Sequence, residues 1–413
     1  MGLSTIEGGL RSDRVIEDAL AHAAPGFALG QRLQQLHGDL AMIEGVSPLF
    51  DIEAFARDGN CAVEARRDMY HQLDTEWLPP LGLVRRPRIA LLDVAWQSSS
   101  FQVVLFEWGG SLGAQSRHYI LGRDRDRCHA FLEAVCRWSH DVRGEILVFN
   151  EGCFHKSVKL YDAVMSTTFD QLVLEGDFKQ QIRDDFTQFL ASRDTYEEFG
   201  VPWRRGALFI GPPGNGKTLC VKALVHLLGI PCLYVQSFDA QYATSQASIE
   251  EVFRRARSTA PCVLVLEDLD ALLTDGCRSF FLNELDGFAT NHGVITIATT
   301  NHPERLDASI VDRPSRFDRK YHFDLPAAAT RALYVAAWND RLRPALRLSE
   351  AGRAQVVEAT HGFSFAYIQE LFVSSTMRWM ATRDSVGILP VALEQIEALR
   401  AQMQSPVPAK TDG

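Results

Sequence analysis

At 413 residues the chain is long enough for two or three domains, each with its own core. Hydrophobic content of 46% and charged content of 23% describe an ordinary soluble globular protein. The formal net charge of −10 gives no overall basic footprint, which argues against nucleic acid as a partner.

The eight cysteines, at 61, 128, 136, 153, 220, 232, 262 and 277, are scattered without a CxxC pair. They read as thiols in a reducing compartment rather than as a disulfide framework. The chain opens without a basic segment followed by an apolar run, and Ile6 stands where myristoylation needs Ser or Thr. No uncharged apolar stretch approaches the roughly 20 residues that span a bilayer. A cytoplasmic protein is expected.

In chain order, residues 13–45 carry apolar side chains at helical spacings, from Val15 and Ile16 through Leu29, Leu33 and Leu36 to Leu40 and Ile43. Pro25-Gly26 interrupts them, so two helices are predicted. The runs 88–96, 101–107 and 117–121 are short and rich in β-formers, which predicts a meander of strands. Trp96, Phe101, Phe106 and Trp108 lie on these strands and are expected to pack in the core. A helix at about 125–140 and a strand at 145–150 complete an α+β domain assigned to residues 1–165.

From 207 onward strands and helices alternate. Strands are predicted at 207–210, 232–235, 262–266, 294–299 and 320–323, with helices at 217–228, 246–258 and 278–286. Such alternation builds a parallel sheet covered on both faces, here assigned to residues 166–326. After Pro326 the strands stop. Helices near 327–341, 350–360, 364–382 and 391–403 form a predicted helical domain over 327–403, and residues 404–413 read as a flexible tail.

The residues that carry chemistry lie at the ends of these strands. Gly211, Pro212, Pro213, Gly214, Asn215, Gly216, Lys217 and Thr218 match G-x-x-x-x-G-K-[ST], directly after a strand and opening a helix. Glycines let the backbone curl so that its N–H groups point at phosphate oxygens, and the helix N-terminus adds a positive dipole end. Lys217 reaches the β- and γ-phosphates of a nucleotide, and the Thr218 hydroxyl is suited to Mg2+. The apolar strand 263–266 ends in Glu267-Asp268, at the edge of the sheet where ligands of open α/β folds sit. Two carboxylates there supply a metal partner and an acceptor for the attacking water.

On these motifs the segment 170–325 resembles the AAA ATPases. The resemblance implies a P-loop NTPase sheet with a helical lid, use of ATP and Mg2+, and a homo-oligomeric ring of six or seven subunits. Asn301, ending ATTN, matches the polar sensor of the γ-phosphate. The LDGF stretch at 285–288 resembles the inter-subunit signalling motif, and DRPSRFDR at 312–319 resembles the arginine-finger segment, with Arg313 and Arg316 at the finger positions. HGFSFAYIQEL at 361–371 is similar to the start of the lid helix, with Phe365 where many relatives carry Gly and no obvious sensor arginine. Tyr242 falls near the pore-loop aromatic of unfoldases. The order Glu267-Asp268, reversed from most of the family, is similar to the branch that contains the mitochondrial Rieske-protein translocase. That alignment puts Glu267 on the magnesium side and gives Asp268 the water.

The expected function is therefore ATP-driven remodelling, unfolding or translocation of protein substrates, with the N-terminal domain as selector. A membrane-associated translocase and a nucleic-acid-directed ATPase are the alternatives. A protease is not expected, because no H-E-x-x-H occurs in these residues.

Overall fold

The computed structural model describes residues 14–66, 71–78, 82–110, 113–241, 243–286, 290–311, 313, 315–382 and 387–404. Tyr242, Gly287 and Phe288 of the LDGF motif and the predicted tail beyond 404 lie outside them. The chain divides into two compact units between Asp141 and Val142.

In the first unit, α1 (Arg14–Leu20) and α2 (Pro25–Leu36) precede β1 (Ala41–Gly45), α3 (Ile52–Arg57) and β2 (Ala62–Ala65). Then come β3 (Gln72–Leu78), β4 (Gly82–Trp96), β5 (Ser99–Gly110), β6 (Gly113–Gly122) and α4 (Arg125–His140). Among the described residues the sheet runs β1-β6-β5-β4-β2, with β3 also on β4, and every pairing is antiparallel. Side chains alternate between its two faces. Phe101 and Val103 pack with Ile52, Phe55, Phe131 and Val135 of α3 and α4. Val104 and Phe106 pack with Val15, Leu29 and Leu33 of α1 and α2.

Two expectations change here. Leu40 and Ile43 continue the helical spacing of α2, yet the chain turns after Leu36, and Ala41–Gly45 is a strand paired with β6. The partner strand, invisible to local periodicity, supplies the backbone hydrogen bonds. The strand predicted at 145–150, assigned to the N-terminal domain, belongs instead to the sheet of the second unit. Trp96, Phe101 and Phe106 are buried as expected, and Trp108 is half-buried against the same face as Phe106.

The second unit opens with β7 (Ile146–Asn150), β8 (Cys153–Ser157), α5 (Val158–Met165), α6 (Phe178–Ala191) and α7 (Arg193–Glu198). It continues through β9 (Arg205–Ile210), α8 (Lys217–Leu228), β10 (Cys232–Val235), α9 (Ser245–Thr259), β11 (Cys262–Leu266), α10 (Leu269–Leu272) and α11 (Asp275–Asp286). After β12 (Val294–Thr300), α12 (Ala308–Val311) and β13 (Arg319–His322), the elements among the described residues are helices: α13 (Ala328–Arg341), α14 (Glu350–Ala359), α15 (Phe365–Thr382) and α16 (Ile388–Gln404). The strand order is β13-β9-β12-β11-β10-β7-β8, parallel throughout except for the β7–β8 hairpin. Strands β9, β11 and β12 are buried along almost their whole length, as a sheet covered on both faces requires. The helices after β13 gather around their own cluster of Val335, Val356, Phe363, Ile368, Leu371 and Ile396.

Candidate nucleotide site

The connection from β9 crosses to β10, while β12 and β13 flank β9. The loop after β9 therefore opens where neighbouring connections diverge, which leaves a crevice at the C-terminal ends of the strands. Three glycines shape that loop: Gly211, Gly214 and Gly216 have φ of 152°, 80° and 92°. A Cβ on Gly211 would lie 2.2 Å from the Phe323 carbonyl oxygen, so no side chain fits there. Gly216 precedes α8, whose first residue is Lys217.

Lys217 is buried, and its Nζ donates to the carbonyl oxygens of Gly211 and Pro212. Burial lowers its pKa from the ordinary lysine value, and the carboxylates of Asp268 and Asp270 oppose that shift. The ammonium thus sits between the loop and the acids at the end of β11. Asn215, also buried, donates its amide to the Phe323 carbonyl at 3.3 Å, which ties the loop to the end of β13.

The end of β12 and the residue after it hold Asp268 and Asp270 in place. Asp268 has a left-handed backbone, φ 50°, and its N–H donates to the Thr299 hydroxyl at 3.0 Å. Asn301 Nδ2 donates to Asp268 Oδ1 at 2.8 Å, and the Thr300 hydroxyl donates to Asp270 Oδ1 at 2.7 Å. Glu267 accepts from the Tyr234 hydroxyl through Oε2, while its Oε1 is buried without a hydrogen-bond partner. An orphaned carboxylate oxygen of this kind suits a divalent cation. Glu267 and Thr218 line one cavity, so the residues named for Mg2+ fall together.

The two arginines separate. Arg313 is exposed. Arg316 turns inward: its side chain is 8% exposed, its Nε lies 3.4 Å from Asp286 Oδ2, and its Nη1 donates to the Ser309 carbonyl. Ser315 also donates to Asp286, at 2.9 Å, so one carboxylate at the end of α11 gathers this segment. Asp318 accepts from the Gly206 N–H at 2.7 Å and from Arg205, which fastens the segment to β9. A Cβ on Gly206 would lie 2.1 Å from the Arg316 carbonyl oxygen, so glycine is required for that approach.

A second cavity, of about 180 Å3, lies beside the loop and was not foreseen from sequence. Leu172, Val173, Gly216, Tyr334, Phe365 and Gln369 contribute to its wall. The Tyr334 and Phe365 rings pack at 4.9 Å, and the Ala366 N–H donates to the Gly214 carbonyl at 3.1 Å. Residues from before the loop, from the loop itself and from α13 and α15 meet here, which no local pattern announces.

Residues 207–325 match the model of the family described as "ATPase family associated with various cellular activities (AAA)". This segment is an AAA ATPase domain. The chain is 36% identical over 206 residues to the ATP-dependent zinc metalloprotease FtsH of Acidothermus cellulolyticus, covering 45% of this chain and 30% of that one. It is 32% identical over 262 residues to FtsH of Caldicellulosiruptor bescii, covering 59% and 41%. The chloroplastic FTSH 6 of Oryza sativa is 34% identical over 223 residues, covering 49% and 32%. The chain thus spans less than half the length of these curated relatives. The AAA domain lies within the P-loop fold expected from the sequence, preceded by a region of mixed strands and helices.

Proposed function

We propose that this protein is a ring-forming ATPase that couples ATP hydrolysis to the remodelling, unfolding or translocation of protein substrates. The observation that carries this reading is buried Lys217, under the field of the Asp268 carboxylate, with Glu267 next to Asp268 in sequence and its Oε1 without a partner. The loop 211–216 and the start of α8 direct backbone N–H groups at the phosphates. The cavity beside Phe365 and Tyr334 receives the base. Thr218 and Glu267 would hold Mg2+, which supplies charge neutralisation along the phosphates. Asp268, oriented by Asn301, accepts the proton of the attacking water, so the bond to the γ-phosphoryl group forms as the bond to ADP breaks. Lys217 and an arginine from a neighbouring subunit stabilise the charge that develops.

Arg313 is the better finger of the two, because an exposed guanidinium reaches a neighbour while Arg316 is held within its own subunit. Such contacts are head-to-tail and close into rings, of six or seven subunits by the family resemblance. The reversed order Glu267-Asp268 supports the finer placement beside the Rieske-protein translocase branch. Among the described residues no helix is long and apolar enough to cross a membrane. The zinc protease activity in the relatives' names is said of them alone.

The purified assembly is expected to release phosphate from ATP with Mg2+, faster when an unfolded protein is added and no faster with DNA. Absence of both nucleotide affinity and phosphate release would falsify the reading.

A further inference from the structure

Strand β10 reads Cys232, Leu233, Tyr234, Val235: one phenol in an otherwise apolar run. Tyr234 pairs in register with Val265 on β11, and Glu267 follows two residues later, so both side chains leave the same face of the sheet. The phenol oxygen lies 2.9 Å from Glu267 Oε2 and donates to it.

Glutamate has one more torsion than aspartate at the metal-side position, and Glu267 has room to use it. It lines a cavity of about 360 Å3 together with Val148, Leu160, Val221 and Tyr234 itself. Without a restraint, the longer acid is free to turn toward that space, and ordering it on each nucleotide encounter costs rotamer entropy. The other acid is already restrained, because Asn301 holds Asp268 Oδ1. Each carboxylate therefore has one oxygen fixed by a side chain from an adjoining strand or the loop after it.

We propose that Tyr234 is a positioning residue for this site: its hydroxyl fixes Oε2 of Glu267 and so presents Oε1 to the magnesium of the bound nucleotide. The inference rests on the ATP reading above and deepens it. It assigns the reversed acid pair a partner that lets a glutamate do what a shorter side chain does with less freedom to lose.

Tyr234→Phe keeps the ring and removes only the hydroxyl. Binding of a fluorescent ATP analogue to wild type, Tyr234→Phe, Glu267→Gln and the double variant is measured across a Mg2+ titration and in EDTA. Tyr234→Phe is expected to match wild type in EDTA and to need about tenfold more Mg2+ for tight binding. In the Glu267→Gln background it should change nothing further, because the oxygen it positions is gone. An unchanged Mg2+ requirement overturns the proposal. Equal weakening in EDTA also overturns it, as that marks a packing role, and so does a further shift in the double variant. A wild type that binds nucleotide with no Mg2+ dependence removes the ATP reading, and this inference with it.

Discussion

The two units each bury a sheet between helices, yet they treat polar groups in opposite ways. In the antiparallel first unit Gln102 and His118 lie buried in the interior, and neither Gln102 side-chain atom nor His118 Nε2 has a hydrogen-bond partner. His118 is stacked on Phe50 with ring centroids 4.3 Å apart. In the parallel second unit β11 and β12 are apolar or hydroxyl-bearing along their length, as is β9 after Arg205, and the charge of the site gathers just past their C-terminal ends. Parallel strands all deliver their chains to the same edge, so Lys217, Glu267, Asp268 and Asn301 converge there from distant parts of the sequence. Hairpins alternate direction and gather nothing comparable. Strand direction decides where chemistry can assemble.

If that contrast is right, substitutions at the parallel edge change turnover and spare folding, whereas polar changes inside the first unit alter folding alone. The largest effect is expected at Arg313: its alanine variant should lose about 10³-fold in phosphate release, with an unchanged melting temperature. Restoration on mixing with Lys217→Ala subunits would show that it acts across subunits. Asp268→Asn should cost about 10²-fold or more in turnover while retaining nucleotide affinity. Hydrolysis at the wild-type rate would remove Asp268 from its assigned role.

Arg316 sharpens the comparison from inside the second unit, because its buried pairing with Asp286 makes it a structural charge. Arg316→Ala removes one of two cations beside Asp286, leaving Arg204 and Ser315 on it, and should cost about 1 kcal/mol of stability, read by denaturant unfolding. An unfolding curve identical to wild type, with activity abolished, would return Arg316 to the catalytic group.

The smallest effect concerns pH. Burial lowers the His118 imidazole from 6.5 to about 4. Between those values the unfolded chain carries the proton and the folded chain does not. Its contribution to stability is therefore complete above 6.5, falls as the pH drops toward 4, and falls no further below. His37, lowered by burial as well, acts in the same direction. Thermal midpoints at pH 7 and pH 4.5 should fall further for wild type than for His118→Phe. Equal falls in the two proteins would show that His118 titrates normally in the fold.

The sequence alone determined the elements whose signals are local. The glycines of 211–216, the Lys-Thr that follows, the acids after an apolar strand and the boundaries of α8, β10 and β11 are all written in adjacent residues. Only the tertiary structure decided what depends on partners far along the chain. Ala41–Gly45 became a strand because β6 lay beside it, although Leu40 and Ile43 kept a helical period. Ile146–Phe149 is a four-residue apolar run of the kind buried on both faces, and pairing with β10 placed it in the second unit. Arg313 and Arg316 are three residues apart and chemically identical, so nothing in the sequence could separate them. Asp286, brought alongside by the end of α11, drew one inward and left the other facing out. Tyr234 was equally silent, because a phenol on a buried strand reads as core until the strand beside it brings a carboxylate within reach.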